Sequence, residues 1–178
     1  GELIGAALGN SFLGFALSLL VISPLLDKIG VKRTILFASL CFIAGPALIL
    51  FAASSSDYGS MSTLLNLGMV LSGFAWGATE GSINPLCTTL YPGEKTGKLN
   101  SLHAWWPAGL IIGGVASLLL TSNDVVDWRL LIGIIMVPGI VFGIWAMRHD
   151  SPPTERTAKG VSFEQMIVDP FKHISFWT

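Results

Sequence analysis

The chain has 178 residues, of which 52% are hydrophobic and only 12% charged, with a net charge of −1 and a mean hydropathy of +0.68. A soluble domain carries about 25% charged residues, and nucleic-acid binding needs a basic field, so an ordinary soluble protein and a nucleic-acid partner are both excluded. The apolar residues fall in long blocks between short polar segments, which predicts an all-α, polytopic transmembrane helix bundle. The chain opens at Gly1 and stops at Trp177-Thr178 as a new apolar stretch begins. It shows no basic leader with a small-residue cleavage site and reads as an internal piece of a longer membrane protein. Cys41 and Cys87 both lie in apolar runs and read as small packing residues.

A bilayer core about 30 Å thick needs roughly 20 apolar residues of helix. Five stretches meet this requirement: residues 3–26, 34–53, 62–90, 99–120 and 128–147. Pro46 and Pro138 lie inside the second and fifth and predict kinks. Residues 148–178 form a polar tail. Within it, Asp150-Ser151-Pro152-Pro153-Thr154-Glu155-Arg156 reads as linker, and Val161–Val168 as either a short surface helix or the lead-in to a sixth span. Nine of the ten basic residues (Lys28, Lys32, Arg33, Lys95, Lys98, Arg148, Arg156, Lys159 and Lys172) fall in segments on one side of the bundle. The other side holds Arg129 with Asp57, Asp124 and Asp127. The positive-inside rule then places the loops at Asp27–Arg33 and Tyr91–Lys98, and the tail, in the cytoplasm. The expectation is a multi-pass protein of the inner (cytoplasmic) membrane, with Trp128, Trp145, Tyr58 and Tyr91 near the lipid–water interface.

Without a hydrophobic drive in lipid, small residues let helices approach closely. Gly5, Gly9 and Gly14, then Gly73, Gly77 and Gly81, then Gly109 and Gly113-Gly114, and finally Gly139 and Gly143 are the residues expected to do so. The polar groups at membrane depth carry more information. Glu80 lies roughly 16 Å from the span end at Tyr91, counting about 1.5 Å per residue, which is close to the midplane. An ionisable group there is costly and faces a cavity or a partner, so Glu80 is a candidate to exchange a proton or to bind substrate. Trp76 and Asn84 lie one turn to either side on the same helix face. Pro85 frees a backbone carbonyl one turn earlier, at Gly81; interrupted helices of this kind build transporter sites. In the fourth span Asn100, His103 and Trp106 recur at steps of three, as one polar-aromatic stripe. Asn100 reads equally as a helix cap. His103 can donate, accept or carry a proton, and Trp106 offers a flat face suited to the C–H side of a sugar ring. Trp105 points elsewhere on the wheel and reads as packing or lipid-facing. There is no nucleotide-binding glycine loop, HExxH, CxxC or GxSxG, and His103, His149 and His173 lack metal-ligand spacing. No enzyme activity, cofactor or metal is expected.

The segment Ser23-Pro24-Leu25-Leu26-Asp27-Lys28-Ile29-Gly30-Val31-Lys32-Arg33 resembles the signature loop of the major facilitator superfamily, G-x-L-x-D-R-x-G-R-R/K. Asp27, Lys28, Gly30 and Lys32 fit; Ser23 replaces the first glycine and Val31 a basic residue. The resemblance implies that the five spans are helices two to six, part of the N-terminal half. The loop from Asp27 to Arg33 then helps latch the two halves of a transporter. The tail is the central cytoplasmic loop toward helix seven, and the remaining helices of the full-length transporter are partners.

A narrower resemblance rests on Glu80-Gly81-Ser82-Ile83-Asn84-Pro85, Lys98-Leu99-Asn100 and Ser101-Leu102-His103. It is similar to the fourth and fifth helices of fucose permease-type sugar:proton symporters, where E-x-x-x-N-P is followed by R-L-N-x-x-Q-x-x-N. Glu80 falls on that family's carboxylate for proton coupling and sugar binding, and Asn84, Pro85 and Asn100 match. His103 stands where the family has a sugar-binding glutamine, and Trp106 where it has an asparagine. The drug-antiporter signature G-x-x-x-G-P-x-x-G-G is not met, since Pro107-Ala108-Gly109 precedes Gly113-Gly114. The expected function is proton-coupled uptake of a hexose or deoxyhexose by alternating access. Its partners are a small-molecule substrate, a proton and the lipid bilayer. Alternatives are a facilitator or antiporter of another small solute, such as a drug or organic anion, and a non-transporting membrane sensor.

Overall fold

The computed structural model describes residues 2–121 and 126–172; Asp124, His173 and the apolar start at Trp177-Thr178 lie outside them. Among the described residues there is no strand, and the helices are α1 (Glu2–Ile29), α2 (Val31–Ala52), α3 (Tyr58–Leu90), α4 (Lys95–Thr121), α5 (Trp128–Arg148), α6 (Glu155–Ala158) and α7 (Phe163–Lys172). The first five are long and apolar enough to cross a membrane. They run alternately up and down. One end of the bundle gathers the α1–α2, α3–α4 and post-α5 segments and is called here the basic end. The other is the acidic end.

The expected loop at Asp27–Arg33 is not a loop. Helix α1 continues to Ile29, and Gly30 alone separates it from α2. Gly30 has φ 90° and ψ 141°, a backbone that a residue with a Cβ rarely adopts. Its N–H donates to the Leu26 carbonyl at 2.7 Å, and its own carbonyl accepts from the Thr34 N–H at 3.1 Å. Polar residues such as Asp27, Lys28, Lys32 and Arg33 do not by themselves end a helix; leaving the helical region of φ and ψ does. The prolines behave similarly: α1, α2, α3, α4 and α5 run through Pro24, Pro46, Pro85, Pro107 and Pro138. At the acidic end, Asp57 and Asp127 cap α3 and α5, accepting from the Ser60 and Arg129 backbone N–H groups at 2.8 Å each. Those bonds hold both carboxyls below their ordinary range.

Helix α3 is the centre of the bundle. Both α1 and α2 pack along it, α5 packs on α2, and α1 and α2 scarcely touch each other. The α1–α3 seam is closed by small residues. A Cβ on Gly73 would collide with the backbone of Ser11 and Phe15, and one on Gly77 with Phe15 and Ser18. Asn10 Nδ2 donates across this seam to Asn66 Oδ1 at 2.7 Å, and Ser18 Oγ to the Phe74 carbonyl at 3.0 Å. Between α2 and α5, Gly139 and Gly143 lie against Phe42 and Ser39, and Ser39 Oγ donates to the Gly139 carbonyl at 2.9 Å. Interhelical bonds of this kind contribute about 0.6–2 kcal/mol each in a membrane. Small apolar clusters finish the packing: Leu26, Val31, Ile35 and Ala146 at the basic end, and Ile22, Ala38 and Ala78 further in.

The glycines of α4 are different. Among the described residues Gly109, Gly113 and Gly114, like Gly5 and Gly9 of α1, meet nothing within 4 Å, so the close approach expected of them is not made within this part of the chain. No residue of α4 is buried, and it meets the rest of the described chain chiefly along α3.

Candidate functional site

Helices α3 and α4 run antiparallel, and one face of each brings the membrane-depth polar residues together. Trp76 faces Trp106, with ring centroids 6.2 Å apart and planes 16° from parallel. One turn along, Glu80 Oε1 lies 3.8 Å from His103 Nδ1. This is longer than a hydrogen bond but within reach of a strong charge–charge attraction when the imidazole is protonated. One turn further, Asn84 and Leu99 line a common cavity. The spacing of four on α3, and of three and then four on α4, keeps these pairs in register.

Glu80, Asn84, His103 and Trp106, with Trp76, Thr79 and Trp105, line a cavity of ≈ 260 Å³ open to one side. Trp105, expected to pack elsewhere, therefore belongs to its wall: a helix turns 100° per residue, and a cavity this open accepts neighbouring positions. Asn100 does not line it. Helix α4 begins at Lys95, so Asn100 sits beyond the first turn, is exposed and is no cap. Trp76 is anchored from behind by α1, its ring 4.1 Å from Phe15 and 5.9 Å from Phe12, centroid to centroid. Two buried polar atoms flank the carboxylate. The Trp76 indole N–H and the Asn84 carbonyl oxygen have no hydrogen-bond partner among the described residues. They offer one donor and one acceptor on either side of a carboxylate.

The second constellation is at the basic end. Asp27, buried at the end of α1, accepts from Thr154 Oγ1 and from Arg156 Nε, and from Thr157 Oγ1 at 3.1 Å. Lys32 Nζ pairs with Asp150 Oδ1 at 2.8 Å, and Lys95 Nζ with Glu155 Oε1 at 2.6 Å. Lys28 Nζ sits 4.5 Å above the Phe163 ring of α7. Arg33 is exposed. Residues 150–156, expected to be linker, thus form with Thr157 a clasp over the ends of α1, α2 and α4. The clasp holds the Glu155 carboxyl below its ordinary range, first through the Lys95 hydrogen bond, and the Asp150 carboxyl likewise through Lys32. A cavity of ≈ 450 Å³ separates the clasp from Asn84 and Pro85, so Asn84 borders both chambers. The signal for the clasp was present in the sequence as a charge complement: Asp150, Glu155 and Arg156 opposite Lys32, Lys95 and Asp27. Which of them meet depends on how the helix ends are arranged in space.

The sequence profile of the Major Facilitator Superfamily matches residues 1–177. A glucose transporter, GlcP, of Staphylococcus epidermidis is 30% identical over 94% of this chain and 36% of its own length. A gentisate transporter of Corynebacterium glutamicum is 24% identical over 98% of this chain and 40% of its own length. The chain therefore spans well under half of the curated relatives it matches. No solved structure matches it significantly. The chain belongs to the major facilitator superfamily, and its five apolar helices make it multi-pass.

Proposed function

We propose that this superfamily member is part of a secondary active transporter that takes up a sugar together with a proton by alternating access, and that it is most like the fucose permease-type symporters. The observation that carries the reading is the placement of Glu80, an ionisable group at membrane depth, in the wall of a cavity between two tryptophans and beside Asn84 and His103. A carboxylate that accepts a proton on one side of the membrane and releases it on the other couples the gradient to the substrate. The unpaired indole N–H of Trp76 and carbonyl of Asn84 suit the mixed donors and acceptors of a sugar, and Trp106 its C–H face. The glucose transporter among the relatives supports the same substrate class. The basic end faces the cytoplasm by the positive-inside rule, and the Asp27 clasp closes that side when the cavity opens outward. A second reading, an aromatic acid as substrate, is favoured by the stacked tryptophans and by the gentisate transporter.

The test is uptake by the full-length protein in proteoliposomes. It uses labelled hexoses, deoxyhexoses and hydroxybenzoic acids, with and without an inward proton gradient. One hexose or deoxyhexose should accumulate only with the gradient. Glu80→Gln should abolish accumulation while leaving downhill exchange. Full gradient-driven accumulation by Glu80→Gln would remove the carboxylate from the coupling. Accumulation of an aromatic acid alone would select the second reading.

A further inference from the structure

Helices α1 and α2 are joined through Gly30 alone, both pack on α3, and they scarcely touch each other. Between them lies a groove of ≈ 300 Å³, walled by Val21, Ile22 and Ile29 of α1 and by Thr34 and Phe37 of α2, with Phe74 of α3 as its floor. Phe74 meets Phe37 edge-on, with ring centroids 6.5 Å apart. The one hydroxyl among these side chains, Thr34 Oγ1, donates to the Gly30 carbonyl at 3.1 Å, so the wall offers nothing to a polar solute. Val21 and Phe37 are exposed, so the groove is open along its length. From the Gly30 junction to Phe37 it runs about 10 Å along α2, at 1.5 Å per residue. That is most of the roughly 15 Å of hydrocarbon in one leaflet. Its volume admits a hydrocarbon chain but not the body of a second helix, about 10 Å across.

The mouth of the groove is charged. Arg33 stands one turn before Phe37 on the same face of α2 and is exposed. Its neighbours at the basic end are engaged: Lys28 lies over Phe163, and Lys32, Lys95, Lys98 and Arg156 pair with Asp150, Glu155, Glu94 and Asp27. Arg33 has no acidic partner among the described residues. Arg148 shares that condition, but it ends α5 and lines no part of the groove.

We propose that this groove binds one anionic phospholipid of the leaflet at the basic end, with an acyl chain between α1 and α2 and the phosphate on the Arg33 guanidinium. A guanidinium presents a fork of donors that matches phosphate oxygens, and the arginine stem can run along apolar surface while its head stays at headgroup level. The lipid fills the gap that the two helices leave, and it binds whichever solute or ion the protein carries.

Native mass spectrometry of the full-length protein tests the site. The protein is released from nanodiscs holding equal amounts of phosphatidylglycerol and phosphatidylcholine with the same acyl chains. One phosphatidylglycerol should stay on the monomer, preferred over phosphatidylcholine by roughly fivefold, the worth of one cation at a membrane surface. Arg33→Gln should erase that preference and leave phosphatidylcholine retention as it was. Val21→Trp puts an indole into the groove from an exposed position and should lower retention of both lipids, whereas Val141→Trp, equally exposed on α5, should not. Arg148→Gln should keep the preference. A preference that survives Arg33→Gln, or that falls as far in Arg148→Gln, would reduce it to general surface attraction and overturn the site. Undiminished retention in Val21→Trp would overturn the groove as the seat of the chain. A parent protein that comes off free of lipid, as a monomer or as a dimer, would give the groove to a protein surface and overturn the proposal.

Discussion

Helix α3 presents two faces that solve opposite problems. Toward α1 it offers Gly73 and Gly77, where the backbones approach until no Cβ fits, and the polar groups are paired across the seam, Asn10 with Asn66 and Ser18 with the Phe74 carbonyl. Toward α4 it offers Trp76, Glu80 and Asn84, the contact is loose, and two buried polar atoms have no partner among the described residues. In a membrane, where helices gain nothing from leaving lipid for each other, close van der Waals contact and satisfied hydrogen bonds decide which helices stay together. The first face is fixed by that rule. The second is crossed by one aromatic stack and by the approach of the Glu80 carboxylate to the His103 ring.

The contrast is broken most directly by filling each seam. Gly73→Leu should cost about 3 kcal/mol or more in unfolding free energy, because the obstacle is the backbone of Ser11 and Phe15 and cannot repack. Gly113→Leu, which meets open space, should stay within about 0.5 kcal/mol. Thermal unfolding of the two full-length variants reads the difference, and equal losses would mean that α4 is held as tightly as α1. Next in size is the clasp. Asp27→Asn removes the charge that gathers Thr154, Arg156 and Thr157, a loss of about 1.5–3 kcal/mol for a charge-assisted cluster. Limited trypsin digestion should then cut after Arg156 faster than in the parent, and an unchanged rate would show that the segment stays docked without it. Smaller still is Trp106→Ala. It removes a stack on the open seam, about 0.5–1.5 kcal/mol, and a larger loss of thermal stability would show that α4 leans on its tryptophan more than its exposure suggests. The smallest effect is one of pH. The Glu155 carboxyl is held below its ordinary range by Lys95, so its contribution is present above the unfolded carboxyl's range. It should fade as pH falls through the lower folded one. Lys95→Gln should flatten that part of the stability profile, and an identical acid limb in both proteins would remove the pair from the account.

The spans were legible in the sequence because a 30 Å hydrocarbon layer imposes its length on the apolar runs. The α3 face was legible because a carboxylate in such a run is rare and its neighbours at i±4 follow from helix geometry alone. What crosses between helices was not. Which histidine faces Glu80 depends on the register of α4 against α3, and no periodicity within one helix sets that. Asn100 shows the limit: it sits on the sequence stripe of His103 and Trp106 yet lies outside the cavity they line. The reading of Asp27–Arg33 as a loop failed because polarity marks where a helix leaves the lipid, whereas backbone conformation, here at Gly30, marks where it ends. The clasp lay hidden in a proline-bearing segment whose composition looks like linker whether or not its charges find partners.

The central place of α3 has a consequence for how the chain is assembled. Its first two helices are neighbours in sequence, joined through one residue, yet they have almost no contact with each other. A ribosome delivering this chain hands α1 and α2 to the membrane before their common partner exists. Until α3 follows, Ser18 has no Phe74 carbonyl and Asn10 no Asn66, so two polar side chains wait in lipid. Helix α3 is the one that turns a parted hairpin into a bundle, and α5 packs on α2.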